Sequence, residues 1–331
     1  MRFLVIATLV GCSVPARDSA TFDAPPPVDA PSAQPLERTV HQVLVGENTI
    51  IWTHGGFPPC SLEFGCSTYG PSLTYWNRNS RTIASRTENG TGSISIAGSE
   101  ETFFIVTGLD YDQMYLRRVE GIEGVAMSVP RALTVGPALD STYVYWGESR
   151  GTNDGGYTLY HATRTGDGSD RSVVATTESG GPPMQLTYAA ELLWWIESGT
   201  SRVMRVPTAG GAIEQLGFAS TLAAFDDVVY AGSPRSNGDG TYTNEVGRFD
   251  AAGAFEVIAR QTTTGASPRF IVKSNEELYW SNRDGNLYRT DVAGGAIETI
   301  DARDDAGYVF AVLPTEILVR FTRSGFNSIP R

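Results

Sequence analysis

"LYWSNRDGNLYRTDVAGGAIETI", residues 278–300, sets two short apolar runs on either side of an Asp-Gly, then adds a Gly-Gly and a closing Glu-Thr-Ile. Asp-Gly is the dipeptide that a two-residue hairpin turn prefers, because both central residues need positive φ. The stretch reads as strand, turn, strand, turn, strand. Its second half has a near-copy upstream. "RTDVAGGAIETI" at 289–300 matches "RVPTAGGAIEQL" at 205–216 in seven of twelve positions, at an offset of 84, twice 42. Recurrence at a fixed period marks a repeat architecture.

Further copies are weaker. An apolar run, usually after an acidic or polar residue, recurs as "NTIIW", "ETFFI", "TYVYW", "ELLWW", "DDVVY", "EELYW" and "TEILV", ending at Trp52, Ile105, Trp146, Trp195, Tyr230, Trp280 and Val319. These markers lie 35 to 53 residues apart, around the period of about 40–45 typical of four-stranded propeller blades. Each unit consists of β-branched and aromatic runs bounded by Gly, Asp, Asn, Pro and Ser, with no long stretch at helical spacing. The 36 glycines and 18 prolines would break helices repeatedly. The reading is an all-β chain, a β-propeller of seven four-stranded blades over residues 36–331; six or eight remain open because the second and last units are weakly marked. The last unit stops about one strand short, and "LERTV" at 36–40 resembles the outer strands "IETI", "IEQL" and "FEVI". The expectation is that this N-terminal strand completes the last blade, ahead of a first inner strand "HQVLV".

"LYWSNRDGNLYRTD" resembles the YWTD-type repeat of the low-density-lipoprotein-receptor class B propellers and their bacterial relatives, covering units four and six well and the others loosely. The chain has Trp-Ser and Trp-Gly where that family has Trp-Thr-Asp, so the resemblance does not carry over the Asp that staples neighbouring blades there. What it implies is fold; propellers host many unrelated activities.

The beginning of the chain speaks to location. "MRFLVIATLVGC" has one Arg, then an apolar run from Phe3 to Val10, too short for a membrane span and fitting an export signal at 1–11. "LVGC" resembles the bacterial lipobox, which implies cleavage before Cys12 and lipid on its sulfur, with Ser13 favouring the outer membrane; an ordinary signal peptide with an incidental Cys is the alternative. Residues 12–35 are proline-rich with few large apolar side chains, a composition that cannot bury enough surface to fold. As extended chain at about 3.1 Å per residue, this tether would reach roughly 70 Å.

The formal charge of −12 argues against nucleic acid or anionic lipid surfaces as partners. In an exported chain with Cys12 lipidated, Cys60 and Cys66 form an even pair and are expected as a disulfide. His54 nearby raises a His-Cys-Cys metal site, for which a fourth ligand is missing from the local sequence. No cofactor and no metal are expected.

In a four-stranded blade the loop between strands two and three emerges on the same side as the link to the next blade. That loop reads as long in units one, three and five: "THGGFPPCSLEFGCSTYGPS", "GESRGTNDGGYT" and "GSPRSNGDGTYTNE". Long insertions on one face of a repeat protein often form its binding surface, although surface loops also lengthen at little cost. The candidate binding face is Phe57, Phe64 and Tyr69, then Arg150, Asp154 and Tyr157, then Arg235, Asp239 and Tyr242, a mixture suited to protein, peptide or glycan. "TNDGG", "SNGDG" and "TGDGSD" lack the ordered acidic spacing and closing Glu of a calcium loop and read as turn formers.

The chain has three histidines, His41, His54 and His161, and none of the H-E-x-x-H, phosphate-loop or dinucleotide patterns. His161 takes the strand-three place filled elsewhere by Arg205 and Arg289, which reads as structural. The expectation is a lipid-anchored envelope binding module without enzymatic activity; a scaffold within an envelope assembly is the alternative, and a propeller lyase or hydrolase a more distant one.

Overall fold

The computed structural model describes residues 39–45, 49–55, 72–77, 82–87, 95–98, 102–108, 114–120, 127–130, 135–150, 155–264, 267–282, 286–301, 308–313, 316–321 and 325–331. Every regular element among them is a strand. Sheet 1 holds β1 (Thr39–Val45), β2 (Thr49–Gly55), β3 (Ser72–Asn77) and β4 (Thr82–Thr87). Sheet 2 holds β5 (Ser95–Gly98), β6 (Thr102–Gly108), β7 (Met114–Glu120) and β8 (Met127–Pro130). Sheet 3 holds β9 (Val135–Leu139), β10 (Tyr143–Ser149), β11 (Tyr157–Thr163) and β12 (Ser172–Thr176). Sheet 4 holds β13 (Pro183–Ala189), β14 (Leu192–Glu197), β15 (Arg202–Pro207) and β16 (Glu214–Phe218). Sheet 5 holds β17 (Thr221–Phe225), β18 (Val228–Ser236), β19 (Tyr242–Phe249) and β20 (Phe255–Thr263). Sheet 6 holds β21 (Pro268–Ser274), β22 (Glu277–Asn282), β23 (Leu287–Asp291) and β24 (Glu298–Asp301), and sheet 7 holds β25 (Tyr308–Val312), β26 (Glu316–Phe321) and β27 (Gly325–Pro330).

Each sheet is an antiparallel meander in chain order. The first strands of successive sheets touch one another from β1 through β25, and β25 touches β1, so the described sheets close into a ring. This is an all-β propeller built on four-stranded blades.

The opening stretch is one copy of that unit. Trp280 pairs with Tyr288 across β22 and β23, and Asn282 N–H reaches Asn286 O at 3.1 Å; the Asp-Gly itself, within 283–285, lies outside the described residues. The Gly-Gly half forms the turn between strands three and four, and it recurs. Gly210, Gly253 and Gly294 stand at φ near +90°, +87° and +89°, each donating its N–H three residues back, to Pro207, Asp250 and Asp291. A left-handed residue ending such a turn is where glycine avoids the Cβ clash. In sheets 4 and 5 the turns between strands one and two are two-residue hairpins, with Ala190 and Glu191, and Asp226 and Asp227, all at positive φ.

The core lies between sheets. Strand alternation sends Trp195 toward sheet 3, against Tyr157 and Leu159, and Trp194 toward sheet 5, against Val229 and Phe249. Trp146, Trp195 and Trp280 are fully buried at equivalent places in three sheets. Each removes about 200 Å² from water, worth roughly 5 kcal/mol on transfer as an upper bound.

The closing strand is a correction. Thr39 and Val40 lie in β1 and pair with Gly55 and His54 of β2, so they extend the inner strand of sheet 1 and do not complete sheet 7. A residue held in that ladder cannot also reach the outer edge of another sheet. Sheet 7 has three strands among the described residues, and Leu36–Arg38, like residues 1–35, lie outside them.

Candidate functional site

Register fixes which residues are equivalent. Tyr145 opposes His161, Trp194 opposes Arg205 and Tyr279 opposes Arg289, which puts His161 in the arginine place. His161 stacks at 5.9 Å on Tyr145 and meets Tyr143 edge-on at 4.5 Å, a packing role. His41 and His54 lie on the paired strands β1 and β2.

Two residues beyond the buried Trp, the same register brings Glu148, Glu197 and Asn282 into one equivalent position at the end of strand two. Sequence reasoning missed this set; the signal was a polar residue after Trp-Gly, Trp-Ile and Trp-Ser. Their partners differ. Glu148 accepts Trp146 Nε1–H at 3.1 Å and Arg171 Nη1–H at 3.2 Å, and Glu197 accepts the Thr200 hydroxyl at 2.7 Å. Asn282 donates to Gln261 Oε1 of the preceding sheet at 3.4 Å. Such varied bonding caps strand ends and does not repeat one chemistry around the ring.

Of the predicted binding residues, Phe57, Phe64, Tyr69 and Asp154 lie outside the described residues, as do Cys12, Cys60 and Cys66. Arg150 is exposed and pairs with the exposed Glu178 at 2.5 Å. Tyr157 is a correction: it is fully buried and accepts the Trp195 Nε1–H at 3.0 Å. It begins β11, and the alternation of that strand turns it into the core between sheets 3 and 4. Burial, ahead of the neighbouring Glu197 charge, holds its hydroxyl far above the ordinary tyrosine range.

The third long loop is also a correction. Most of "GSPRSNGDGTYTNE" is strand: β18 and β19 stay paired out to Ser236 and Tyr242, and β20 accompanies them to Thr263. Thr, Tyr and Val suit a pleated ribbon, and only residues 237–241 form the tip, closed by Asn237 N–H to Thr241 O at 3.0 Å. Asp239 accepts the Thr241 hydroxyl at 2.6 Å and its N–H at 2.9 Å, which holds the carboxyl below its usual range. Asp167 and Asp170 are engaged in the same way by Ser169 and Thr163. These are turn-forming contacts.

Arg235 borders a recess of about 350 Å³ between sheets 4 and 5, lined also by Gly217, Phe218, Ser233, Glu245 and Phe255; Tyr242 is not part of its lining. Ser233, Glu245 and Arg260 form one cross-strand row over β18, β19 and β20. Alternation turns this row toward sheet 4, while Asn244 and Gln261 turn toward sheet 6. The Glu245 side chain is only 5% exposed. Its Oε1 accepts Nε–H and Nη2–H of Arg260 at 2.9 and 2.7 Å, and its Oε2 lies 3.7 Å from Arg235 Nε. The guanidinium groups are 63% and 74% exposed, so one buried carboxylate anchors two cations at the surface. Phe218 stands at the rim, 61% exposed. A site of this kind can hold a chain segment that is both apolar and anionic.

The sequence matches no protein-family profile and no curated protein. Solved structures do match. A computationally designed protein, Ika8, superposes with a TM-score of 0.56 at 10% identity, over 91% of this chain and 98% of that one. A structure from a study of two prolyl endopeptidases gives a TM-score of 0.51 at 12% identity over 88% of this chain, which spans about half of that protein. BamB from Moraxella catarrhalis reaches 0.47 at 13% identity, over 88% of this chain and 83% of that one. At these identities the first two show a shared fold and nothing of activity.

Proposed function

We propose that this chain is an exported, lipid-anchored envelope protein whose seven-bladed, YWTD-like propeller binds a protein or peptide partner without catalysing a reaction. The working face is the one from which the strand-two to strand-three connections emerge. The observation that carries this reading is the ribbon of sheet 5. Its three outer strands run nine, eight and nine residues, longer than any other strand described. At about 3.3 Å per residue the extra two to four residues carry the tip roughly 7–13 Å farther than its counterparts. Residues 235–240 are all exposed there, and Arg150 is exposed at the equivalent end of sheet 3. Exposed polar ribbons on a rigid scaffold are common carriers of recognition. The leader, the Cys12 lipobox and the proline-rich tether support the anchor.

The test is crosslinking in native envelopes, comparing the intact protein with a variant in which residues 237–241 become a short Gly-Ser turn and Arg150→Glu is added. Loss of a specific crosslinked partner, with an unchanged melting temperature, is expected. Recovery of the same proteins by both forms refutes the face. Separately, Cys12→Ser is expected to move the protein from the membrane to the soluble fraction; unchanged fractionation refutes the anchor.

A further inference from the structure

We propose that the recess between sheets 4 and 5 is a docking groove for an acidic linear peptide segment bearing a large apolar side chain. This rests on the binding-module reading above and names the chemistry of the partner.

Apolar side chains on the outermost strand of a blade are ordinarily turned inward, and among the described residues only Val173, Phe218 and Val257 are large hydrophobics left exposed. Phe218 is the bulkiest and the most exposed of them, and it lines the recess. Behind it the recess is walled by Phe249 and Phe255, whose rings meet at 5.2 Å. The volume of about 350 Å³ falls within the range of pockets that take a small ligand or one or two side chains.

Charge selects the occupant. The Arg235, Arg260 and Glu245 set carries one net positive charge, on a chain whose overall charge is −12. Arg260 is oriented by its two bonds to Glu245 Oε1, which leaves its remaining donors at the surface. Arg235 meets Glu245 only at 3.7 Å, beyond hydrogen-bond distance. Its guanidinium is therefore available for a carboxylate, which the planar fork matches bidentately. A nucleic acid would need a broad basic surface, and one surplus charge on an acidic chain does not supply it. A simple anion would leave the aromatic wall uncovered. A peptide with an acidic residue beside a Phe or Leu satisfies both walls.

Gly217 offers a way to close the groove without touching its charges. A Cβ built there meets nothing within 4 Å, so a larger side chain would occupy open space on the recess wall.

The test uses the full chain and a fluorescein-labelled octapeptide of alternating Glu and Phe, followed by fluorescence anisotropy at low and moderate salt. Controls replace every Glu by Lys, or every Phe by Ser. Saturable binding of the Glu-Phe peptide is expected, at least tenfold weaker for either control and weaker at higher salt. Arg235→Glu and Gly217→Phe should each weaken it at least tenfold while leaving the melting temperature within about a degree. Equal binding of the Lys-Phe peptide, indifference to Arg235→Glu, or no saturable binding overturns the proposal. A concentration-dependent dimer abolished by Arg235→Glu would overturn it in favour of a second copy of the chain as occupant. The hairpin variant of the preceding section leaves the groove intact. Failure of peptide binding with retained partner loss in that variant therefore refutes the groove alone.

Discussion

Arg205→Met should destabilise the ring far more than Arg248→Met, although both arginines occupy the same place on the third strand of adjacent sheets. Arg205 is buried, lies 5.3 Å from the Trp194 ring centroid, and donates to Ala251 O at 3.2 Å and Ala252 O at 3.3 Å in the turn of the next sheet. It also donates to Glu214, an exposed carboxylate, at 2.7 Å. The Glu214 pair contributes at most about 0.5 kcal/mol, given its exposure. Stacking on Trp194 adds roughly 1 kcal/mol, and each charged bond to a backbone carbonyl about 1 kcal/mol once water competes for the freed groups. Methionine keeps most of the stem packing, so the expected loss is about 2–3 kcal/mol. Arg248 donates to Glu256 of its own sheet at 2.6 Å and opposes Tyr230 of that sheet, with its side chain half-buried, and its loss should cost less than about 0.5 kcal/mol. Differential scanning calorimetry should show a fall of about 3–5 °C for Arg205→Met and about 1 °C or less for Arg248→Met. Equal shifts, or a larger one for Arg248→Met, would refute the claim that Arg205 holds two sheets together.

Three further outcomes are expected. Trp195→Phe keeps an aromatic ring but leaves the Tyr157 hydroxyl without its buried donor, so urea unfolding should show a loss of about 1–3 kcal/mol, whereas no loss would mean water replaces the indole. Asp140→Ala removes a carboxylate that accepts the Thr142 and Tyr143 N–H groups and the Tyr145 hydroxyl, each at 2.6 Å; about 3 kcal/mol should be lost. Burial first, and then the Asp140 bond, raises the Tyr145 pKa, so alkaline absorbance titration of that variant should show a tyrosine ionising at lower pH. Glu277 is held below the usual glutamate range by bonds from Tyr279 and then Arg331. A depressed carboxyl contributes stability above its unfolded pKa, near 4.3, and loses it as pH falls through the folded value. Melting temperatures of the parent and Glu277→Gln should therefore converge on acidification below about pH 4; parallel curves would exclude a role for this cluster.

The architecture was legible because two local rules repeat in the sequence. Positive φ at Asp226, Asp227 and Asn275 favours Asp and Asn in the turns that lead into the apolar strands of sheets 5 and 6, and the left-handed glycine at Gly210, Gly253 and Gly294 gives "AGG" and "AAG" their recurrence. Both are backbone constraints that act within a few residues, which is why a single sequence displays them. The site was much less legible. Tyr157 follows "NDGG" and so reads as loop, yet β11 begins at that residue and its ring enters the core. Ser233 to Ser236 follow Gly232 with a proline among them and also read as loop, while their ladder to β19 continues unbroken. Nothing local announces that Glu245 of one strand will lie beneath Arg260 of the next, since that depends on register set elsewhere. Phe218 closes a strand in sequence like any outer-strand residue; only the shape of the neighbouring sheet leaves it uncovered.

The hold of Arg205 on the turn at Ala251 and Ala252 has a counterpart: Arg118 reaches forward to Arg164 O at 2.7 Å and, less closely, to Gly166 O. In both cases one sheet grips the three-to-four turn of its successor by main-chain oxygens, so the contact does not depend on which side chains that turn carries. The turns need not match in length: eight residues separate Thr163 from Ser172 and five separate Phe249 from Phe255, and each still brings two carbonyls to the arginine behind it. The opposite end is tied as well, since Ser220 Oγ–H donates to Pro268 O at the start of the next sheet at 2.8 Å, and in sheet 5 the strand-two to strand-three ribbon extends beyond that tie. Neighbouring sheets are thus tied through main-chain oxygens at both rims, and what lengthens toward whatever it meets is the ribbon that stands clear of those ties.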